Sequence, residues 1–560
     1  MRRLGQSCCE TLDRLIGGPP WRAWLLLTLL ALATALPGIA ALPVTDRDEA
    51  RFAQATKQML ETGDYIDIRF QDAPRWKKPI GIYWLQAGTA SLAGEAEAPI
   101  WAYRLPSALG AVAAVLLTAW AMIPLIGRNA ALLAGAMLTT TLLVAAEATI
   151  AKTDAALLAT AAAALGALAR ALTGTATRLT WLVFWLAIAG AALLKGPIVP
   201  VVAALSVIWV WAATRTAPRI ASLRPLPGLV LAAALVAPWL IAIWQISDGG
   251  FFAESVGEDL LGKVAEGKEK HWGPPGLYLA LVWLTFWPWA AFLPQALGWV
   301  WQRRKTVWVP VLMGWVVPFW VILELVPTKL PHYVLPLYPA LAGMVAAWVL
   351  SDPPAAPLRW RRLAAGLAAG PGVVLAVALL ALPIVLEGRV LWVAAGLAAL
   401  GALASLAAGR AALDGHARAQ AGASVLAALL LFPAVLQFGL PGLSTVFPSP
   451  RIAALTAEWQ ACASRPLMSL GYREPSLVFL NGTETALTDR IAMARALETD
   501  LGAMALVEDR WRADLDASWS GTPPSLIERG HVFYFNYNRG KTETARLLTP
   551  DHPRWNACAE

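Results

Sequence analysis

The sequence predicts a polytopic α-helical membrane protein that carries a small soluble α/β domain near its C-terminal end. Three observations carry that expectation. Membrane-length apolar stretches recur along the chain, thirteen in all. Of its 560 residues, 58% are hydrophobic and only 15% are charged, which excludes a soluble enzyme with one anchoring helix. After Pro441 the composition changes and polar, strand-like and helix-like segments alternate.

The first apolar stretch, Ala23 to Pro43, follows a basic N-terminal segment. ALATALPG offers small residues for cleavage, but the apolar run is long and the preceding segment extended, so an uncleaved membrane helix is expected. The further spans are expected near 101–124, 130–147, 153–170, 178–194, 197–214, 226–246, 275–300, 306–326, 331–350, 363–386, 390–409 and 420–443. Basic residues set their orientation. Eighteen Arg and Lys, among them Arg128, Arg215, Arg304 and Arg361, fall in short segments on one side. Lys152, Lys195, Lys329 and Arg389 are the four in the opposite short loops. The side rich in positive charge belongs in the cytoplasm, so the N-terminus is expected inside and the C-terminal domain outside. The formal net charge of +8 therefore reflects topology and gives no reason to expect nucleic-acid binding. Twenty-eight tryptophans fit a protein with two membrane interfaces.

The first long polar segment, within an outer loop spanning 44–100, is dense in charge. Asp46, Asp48, Glu49 and Arg51 open it, and Lys77 and Lys78 close it before the chain turns apolar again. Phe52, Ala55, Met59 and Leu60 recur at helical spacing, so an amphipathic helix ending at Gly63 is expected between them. Asp46 and Glu49 also have the spacing of a capping box, and Lys77–Lys78 that of an interfacial anchor. The turns at 152–154, 195–197 and 327–333 and the loop 247–274 share the outer side with this segment, which points to one site there.

The soluble region, 444–560, is read as a helix over Arg451–Ala463, strands over 467–470, 476–480, 504–507 and 531–537, and a helix over 489–497. No nucleophile or metal motif stands out in it. The four cysteines, Cys8, Cys9, Cys462 and Cys558, show no metal-binding spacing. Cys462 and Cys558 are expected in the oxidising compartment, and their Cα separation tests whether they bridge. Cys8 and Cys9 are expected to stay reduced.

DRDEARFAQATKQMLETGDY with WKKPIGIYWL, then EATIAKTDAAL, HWGPPGLYL, PTKLPHYVLPLYPAL and GYREPSLVFLNGT, resembles in order the motifs of the polytopic, C-type glycosyltransferases. More narrowly, it is similar to the bacterial aminoarabinose-transferase branch, related to protein O-mannosyltransferases. The resemblance covers nearly the whole chain. It implies a membrane enzyme of the bacterial inner membrane whose site and C-terminal domain face the periplasm. Such an enzyme is expected to move a sugar, with inversion, from a polyprenyl-phosphate carrier to an acceptor: lipid A, a protein hydroxyl or another glycan. Asp48, Glu49 and Asp154 take the acidic, catalytic positions, with Asp48 the reacting carboxylate. Lys78, Lys195, Lys329, Tyr333 and Arg51 take the donor-phosphate positions, and His271 and His332 line the cavity. A leaving polyprenyl phosphate departs as an anion, so cations at its exit suit the chemistry. Where the family carries a glutamate before its lysine, a ligand for a divalent metal with a loop histidine, this chain has Lys77. A divalent metal is thus an open expectation, since His271 alone does not make a metal site. Two other readings are a lipid-linked sugar transporter or flippase and a glycan polymerase or ligase. The crowding of ionisable residues at one face, without paired repeats, disfavours the transporter.

Overall fold

The structure, a computed structural model, describes residues 19–262, 272–537 and 539–558. His271, Cys8 and Cys9 lie outside the described residues.

The described residues are mostly helical, with a small sheet near the C-terminal end and a two-stranded hairpin in the outer loop. The helices used below are α1 (Pro20–Ala35), α2 (Asp48–Thr62), α3 (Gly81–Ser91), α4 (Ile100–Ile126), α5 (Arg128–Thr139), α6 (Leu142–Ala148), α7 (Asp154–Leu172), α8 (Thr180–Lys195), α9 (Ile198–Thr214) and α10 (Pro225–Ser247). They continue with α11 (Leu277–Thr285), α12 (Leu293–Gln302), α13 (Trp308–Leu325), α14 (Tyr338–Leu350), α15 (Leu358–Glu387), α16 (Trp392–Asp414) and α17 (Ala417–Pro433).

Among the described residues, eight helices are long and apolar enough to cross a membrane, or up to ten if two bent pairs each count as one span. Helix occupies all thirteen predicted stretches, but not as thirteen simple spans. α1, α8 and α9 are shorter apolar helices. The 130–147 stretch breaks into α5 and α6 at 62°, and the 275–300 stretch bends by 114° between α11 and the helical segment 289–302. The first break leaves Thr140 and Thr141 to bond their hydroxyls back onto Ala136 and Met137 carbonyls. Such side-chain-to-backbone bonds compete with the helical ladder.

Small residues set the helix spacing near the site. A Cβ on Gly110 of α4 would lie 2.8 Å from the Ala156 backbone of α7, and one on Gly166 of α7 would lie 2.5 Å from the Ala121 Cβ of α4. α4 and α7 therefore pack backbone to backbone along much of their length, as small residues permit in membranes. A Cβ on Gly81 would lie 2.7 Å from the Leu193 carbonyl oxygen, so the start of α3 abuts the end of α8. That contact brings the Lys78 turn beside Lys195.

The expected amphipathic helix is α2. Phe52, Ala55 and Met59 are buried, and Gly63 ends it in the left-handed conformation. The expected capping box does not form: Arg47 precedes the first helical residue and no side chain caps the helix. Glu49 Oε2 accepts from the Thr45 N–H at 2.8 Å, whereas the Asp46 carboxylate accepts from the Ser476 N–H of the C-terminal region at 3.0 Å.

The C-terminal region holds a five-stranded mixed sheet. Its strands, after the hairpin β1 (Arg69–Phe70) and β2 (Ala73–Pro74) in the outer loop, are β3 (Met468–Leu470), β4 (Ala486–Leu487), β5 (Ala505–Glu508), β6 (Leu526–Asn536) and β7 (Lys541–Pro550). Their order is β4-β3-β5-β7-β6; β3 pairs in parallel with β4 and β5, and β7 antiparallel with β5 and β6. The region opens with α18 (Pro448–Ala457), and residues 476–480, read as a strand, are instead helical in α19 (Pro475–Asn481). Pro475 at its first position suits a helix start, and a five-residue apolar run carries no period that separates the two states. α19 lays Phe479 edge-on against Tyr103 at 5.4 Å. Gln54 and Gln71 of the outer loop hydrogen-bond to Thr483 and Thr485 just beyond it, at 2.6–2.8 Å. Cys462 and Cys558 form a disulfide, with Cα atoms 6.2 Å apart, between the short 3-10 turn Gln460–Cys462 and the end of the region.

Candidate active site

The turn between α6 and α7 and the end of α8 meet the turn that opens the 331–350 span. Lys195, the last residue of α8, donates to Asp154 Oδ1 at 2.5 Å. Lys152 donates to Glu147 Oε1 at 3.2 Å and stands 3.8 Å from Asp154 Oδ2. His332 lies between the two carboxylates, Nδ1 at 3.7 Å from Glu147 Oε1 and Nε2 at 3.8 Å from Asp154 Oδ1. Tyr333 completes the wall: its ring takes the Lys195 ammonium at 5.2 Å and meets the His332 ring edge-on at 5.1 Å. Glu147, Lys152 and Asp154 are buried. Two ammoniums shared between two buried carboxylates leave the cluster compensated, which ionised groups in a dry setting require.

Lys78 and Asp48 approach this cluster from the outer loop. The Lys78 charge acts on His332, and the Asp48 charge acts on Lys152 and on the Tyr83 hydroxyl. Asp48 is exposed at the first position of α2, where its carboxylate also complements the helix dipole. Asp48, Lys78, Asp154, Lys195, His332 and Tyr333 thus lie around one region, although they come from five separate segments of the chain.

Three other residues singled out from the sequence are placed differently. Glu49, read with the catalytic acids, is fully buried and saturated. Arg104 grips both its oxygens at 2.7 and 2.9 Å, and the N–H groups of Thr45 and Ala151 donate to it at 2.8 Å each. Burial alone would raise its pKa, but the Arg104 charge and these donors hold the carboxyl below its ordinary value. Glu49 therefore fastens the outer loop to the turn before Asp154 and has no oxygen left for a substrate. Lys329, read as a donor-phosphate cation, donates to the carbonyls of Leu323, Glu324 and Val326 at 2.7–3.0 Å. It closes the C-terminal end of α13, where the last carbonyls lack helical partners. Arg51 is exposed and lines a cavity between the outer loop and the C-terminal region.

Sequence reasoning missed Glu147, Lys152, Arg75 and Tyr83. Arg75 is buried with its Cζ 4.8 Å from the Phe52 ring centroid, and its Nε and Nη1 have no hydrogen-bond partner among the described residues. The Tyr83 hydroxyl is likewise buried without a partner among the described residues. Such orphaned donors mark a place where something polar is accommodated. One signal was available: Glu147 and Lys152 lie in the same EATIAKTDAAL motif as Asp154, where a charge in an apolar stretch needs a partner.

A divalent metal fits this cluster poorly. Glu147, Asp154 and His332 offer ligand atoms within 4.8 Å of one another. The same carboxylates already hold Lys152 and Lys195, and a dication would have to displace both.

The dolichyl-phosphate-mannose-protein mannosyltransferase family matches residues 77–244. An undecaprenyl phosphate-α-4-amino-4-deoxy-L-arabinose arabinosyl transferase of Pectobacterium carotovorum is 29% identical over 368 residues, covering 64% of this chain and 65% of that one. The protein of the same name from Aeromonas salmonicida is 29% identical over 310 residues, covering 54% and 56%. The chain thus spans between about half and just under two thirds of the length of these curated relatives. Over the fold the likeness reaches further. The crystal structure of ArnT from Cupriavidus metallidurans bound to undecaprenyl phosphate matches with a TM-score of 0.73 at 18% identity, over 93% of this chain and 97% of that one. Its apo state matches with a TM-score of 0.71 over the same shares. In the order of its motifs and in its fold, the chain is similar to the aminoarabinose-transferase branch of the polytopic C-type glycosyltransferases.

Proposed function

We propose that the protein is a glycosyltransferase of the outer face of the bacterial inner membrane. It takes a sugar from a polyprenyl-phosphate carrier, undecaprenyl phosphate by analogy with its relatives, and transfers 4-amino-4-deoxy-L-arabinose to lipid A. The observation that carries this reading is the gathering of Lys152 and Lys195 on Asp154, with Lys78 at hand, in one buried cluster facing Asp48.

In that geometry an ionised phosphate oxygen of the acceptor attacks the anomeric carbon on the face opposite the carrier. The new O–C bond forms as the bond from the anomeric carbon to the carrier phosphate breaks, and its electron pair leaves on the carrier. Lys78, Lys152 and Lys195 take up that charge where little water competes. Asp154 holds the last two in place. The attacking phosphate is already ionised, so Asp48 removes no proton; it orients the acceptor and the sugar's cationic amine. Arg75 and Tyr83 have donors ready for oxygens that arrive with the substrates.

Purified protein given undecaprenyl-phosphate-linked aminoarabinose and lipid A should yield lipid A of higher mass by one sugar and free undecaprenyl phosphate. Movement of the intact donor across vesicles without transfer would replace this reading with the flippase.

A further inference from the structure

Between the outer loop and the C-terminal region lies a cavity of about 330 Å³, at the small end of the range for ligand sites. Its walls come from both parts of the molecule: Arg47 just before α2 and Arg51 in its first turn, Arg473 and Glu474 before α19, and Tyr534 and Tyr537 at the end of β6 and just beyond it. The charges do not cancel. Arg510 is held by Glu508 at 2.5 Å, and Arg539 by Glu543 at 3.0 Å. That leaves Arg47, Arg51 and Arg473 against Asp46 and Glu474. Asp46 is half-buried and accepts from the Ser476 N–H, and Glu474 stands 3.6 Å from Arg47. Arg51 has no ion-pair partner among the described residues, so the cavity carries a surplus guanidinium. Arg47, the residue before α2, and Arg51 stand one turn apart, the Arg51 N–H donating to the Arg47 carbonyl at 3.2 Å, with Asp48 between them in sequence. Guanidinium forks recognise phosphate oxygens in pairs, and tyrosine rings suit the apolar faces of sugars.

We infer that this cavity binds a phosphorylated saccharide head group through Arg47, Arg51 and Arg473, and so seats the acceptor beside Asp48. The inference deepens the function proposed above and rests on it for the acceptor's identity. The loop 45–49 then divides two binding regions: the carrier phosphate lies on the Lys152–Lys195 side, and the acceptor phosphate on the arginine side. Two anions that must meet at one carbon are each given their own cations.

The test uses the full-length protein in detergent, with lipid A, dephosphorylated lipid A, glucosamine 6-phosphate and undecaprenyl phosphate as probes. The Arg47→Gln/Arg51→Gln double variant should bind lipid A at least tenfold more weakly, and wild-type protein should show the same loss for dephosphorylated lipid A. Undecaprenyl phosphate binding should be unchanged, which also shows that the variant is folded. Arg47→Lys/Arg51→Lys should recover part of the affinity. Competition by glucosamine 6-phosphate would show that the head group is read by itself; lack of competition, with the arginine dependence intact, would show that it is read on its lipid. Equal binding of lipid A by the double variant and the wild type would overturn the site. So would a parallel loss of undecaprenyl phosphate binding. Arginine-dependent lipid A binding without any sugar transfer would leave the site standing and remove the proposed reaction instead.

Discussion

Asp46, Asp48 and Glu49 lie within four positions of one loop and face three different surroundings. Asp46 turns to the C-terminal region, where burial pushes its pKa up to about 6 against the opposing hydrogen bond from Ser476. Glu49 turns inward to Arg104, and Asp48 stays exposed toward the Lys152 side. From sequence alone these acids are interchangeable, because helix-start statistics favour all of them and none reveals its neighbour. Their neighbours separate them. Glu49→Gln leaves the Arg104 guanidinium, itself fully buried, without its counter-charge. Breaking a buried pair from one side costs about 3–5 kcal/mol. A lower midpoint of thermal unfolding in detergent is the expected result. Asp48→Asn removes an exposed charge and should leave that midpoint in place, while sugar transfer falls about a hundredfold or more. Equal melting of the two variants would show that the loop's acids share one role.

At the level of elements, what was legible followed periodicity and what was hidden depended on contacts between distant segments. The apolar stretches, α2 with its Gly63 end and α20 (Arg490–Thr499) after Asp489 all announce themselves by pattern. The breaks after Thr139 and after Thr285 do not, because the sequence is equally apolar on both sides of each. The same holds for α19, whose short apolar run fits either state. The pairing of Lys152 with Glu147 is also invisible locally, since a charge in an apolar run signals only that a partner exists. The approach of α3 to α8 belongs to this hidden class and makes a prediction. Gly81→Val would drive a side chain into the Leu193 carbonyl, where even a Cβ lies 2.7 Å away, and push the Lys78 turn away from Lys195. A shift near 1 Å at a reacting site lowers rates by about a hundredfold, so kcat/KM for the polyprenyl-linked donor should fall by that order. Gly88 lies on the same helix with nothing within 4 Å of a Cβ, so Gly88→Ala should leave the value unchanged. Equal effects of the two changes would point to loss of helix-specific flexibility and away from the contact.

Across the whole molecule, the fold ties the C-terminal region to the end of the bundle that holds the candidate site. Asp46 and Ser476, Gln54 and Thr483, and Tyr103 and Phe479 join that region to the outer loop. Glu49 then joins the loop to the N–H of Ala151 next to the Lys152–Asp154 cluster. Residues after Val446 are therefore on the site's side, and Thr445 is itself bonded to Phe535 of β6 at 2.9 Å. α13 runs from the turn after Arg303 to the Pro327–Lys329 turn, which leads directly to His332 at the site. A helix of that length and hydropathy that crosses the membrane puts its two ends on opposite faces. The Arg303 turn belongs to the basic side of the eighteen-to-four asymmetry, so it is expected in the cytoplasm and the site outside. Reporter fusions after Val446 and after Arg303 measure this directly: activity that requires the periplasm is expected from the first, and activity that requires the cytoplasm from the second. If both reported the same face, α13 would be a re-entrant element. The Lys329 turn would then reach the site without crossing the membrane, and an outward-facing transfer site would lose its geometric basis.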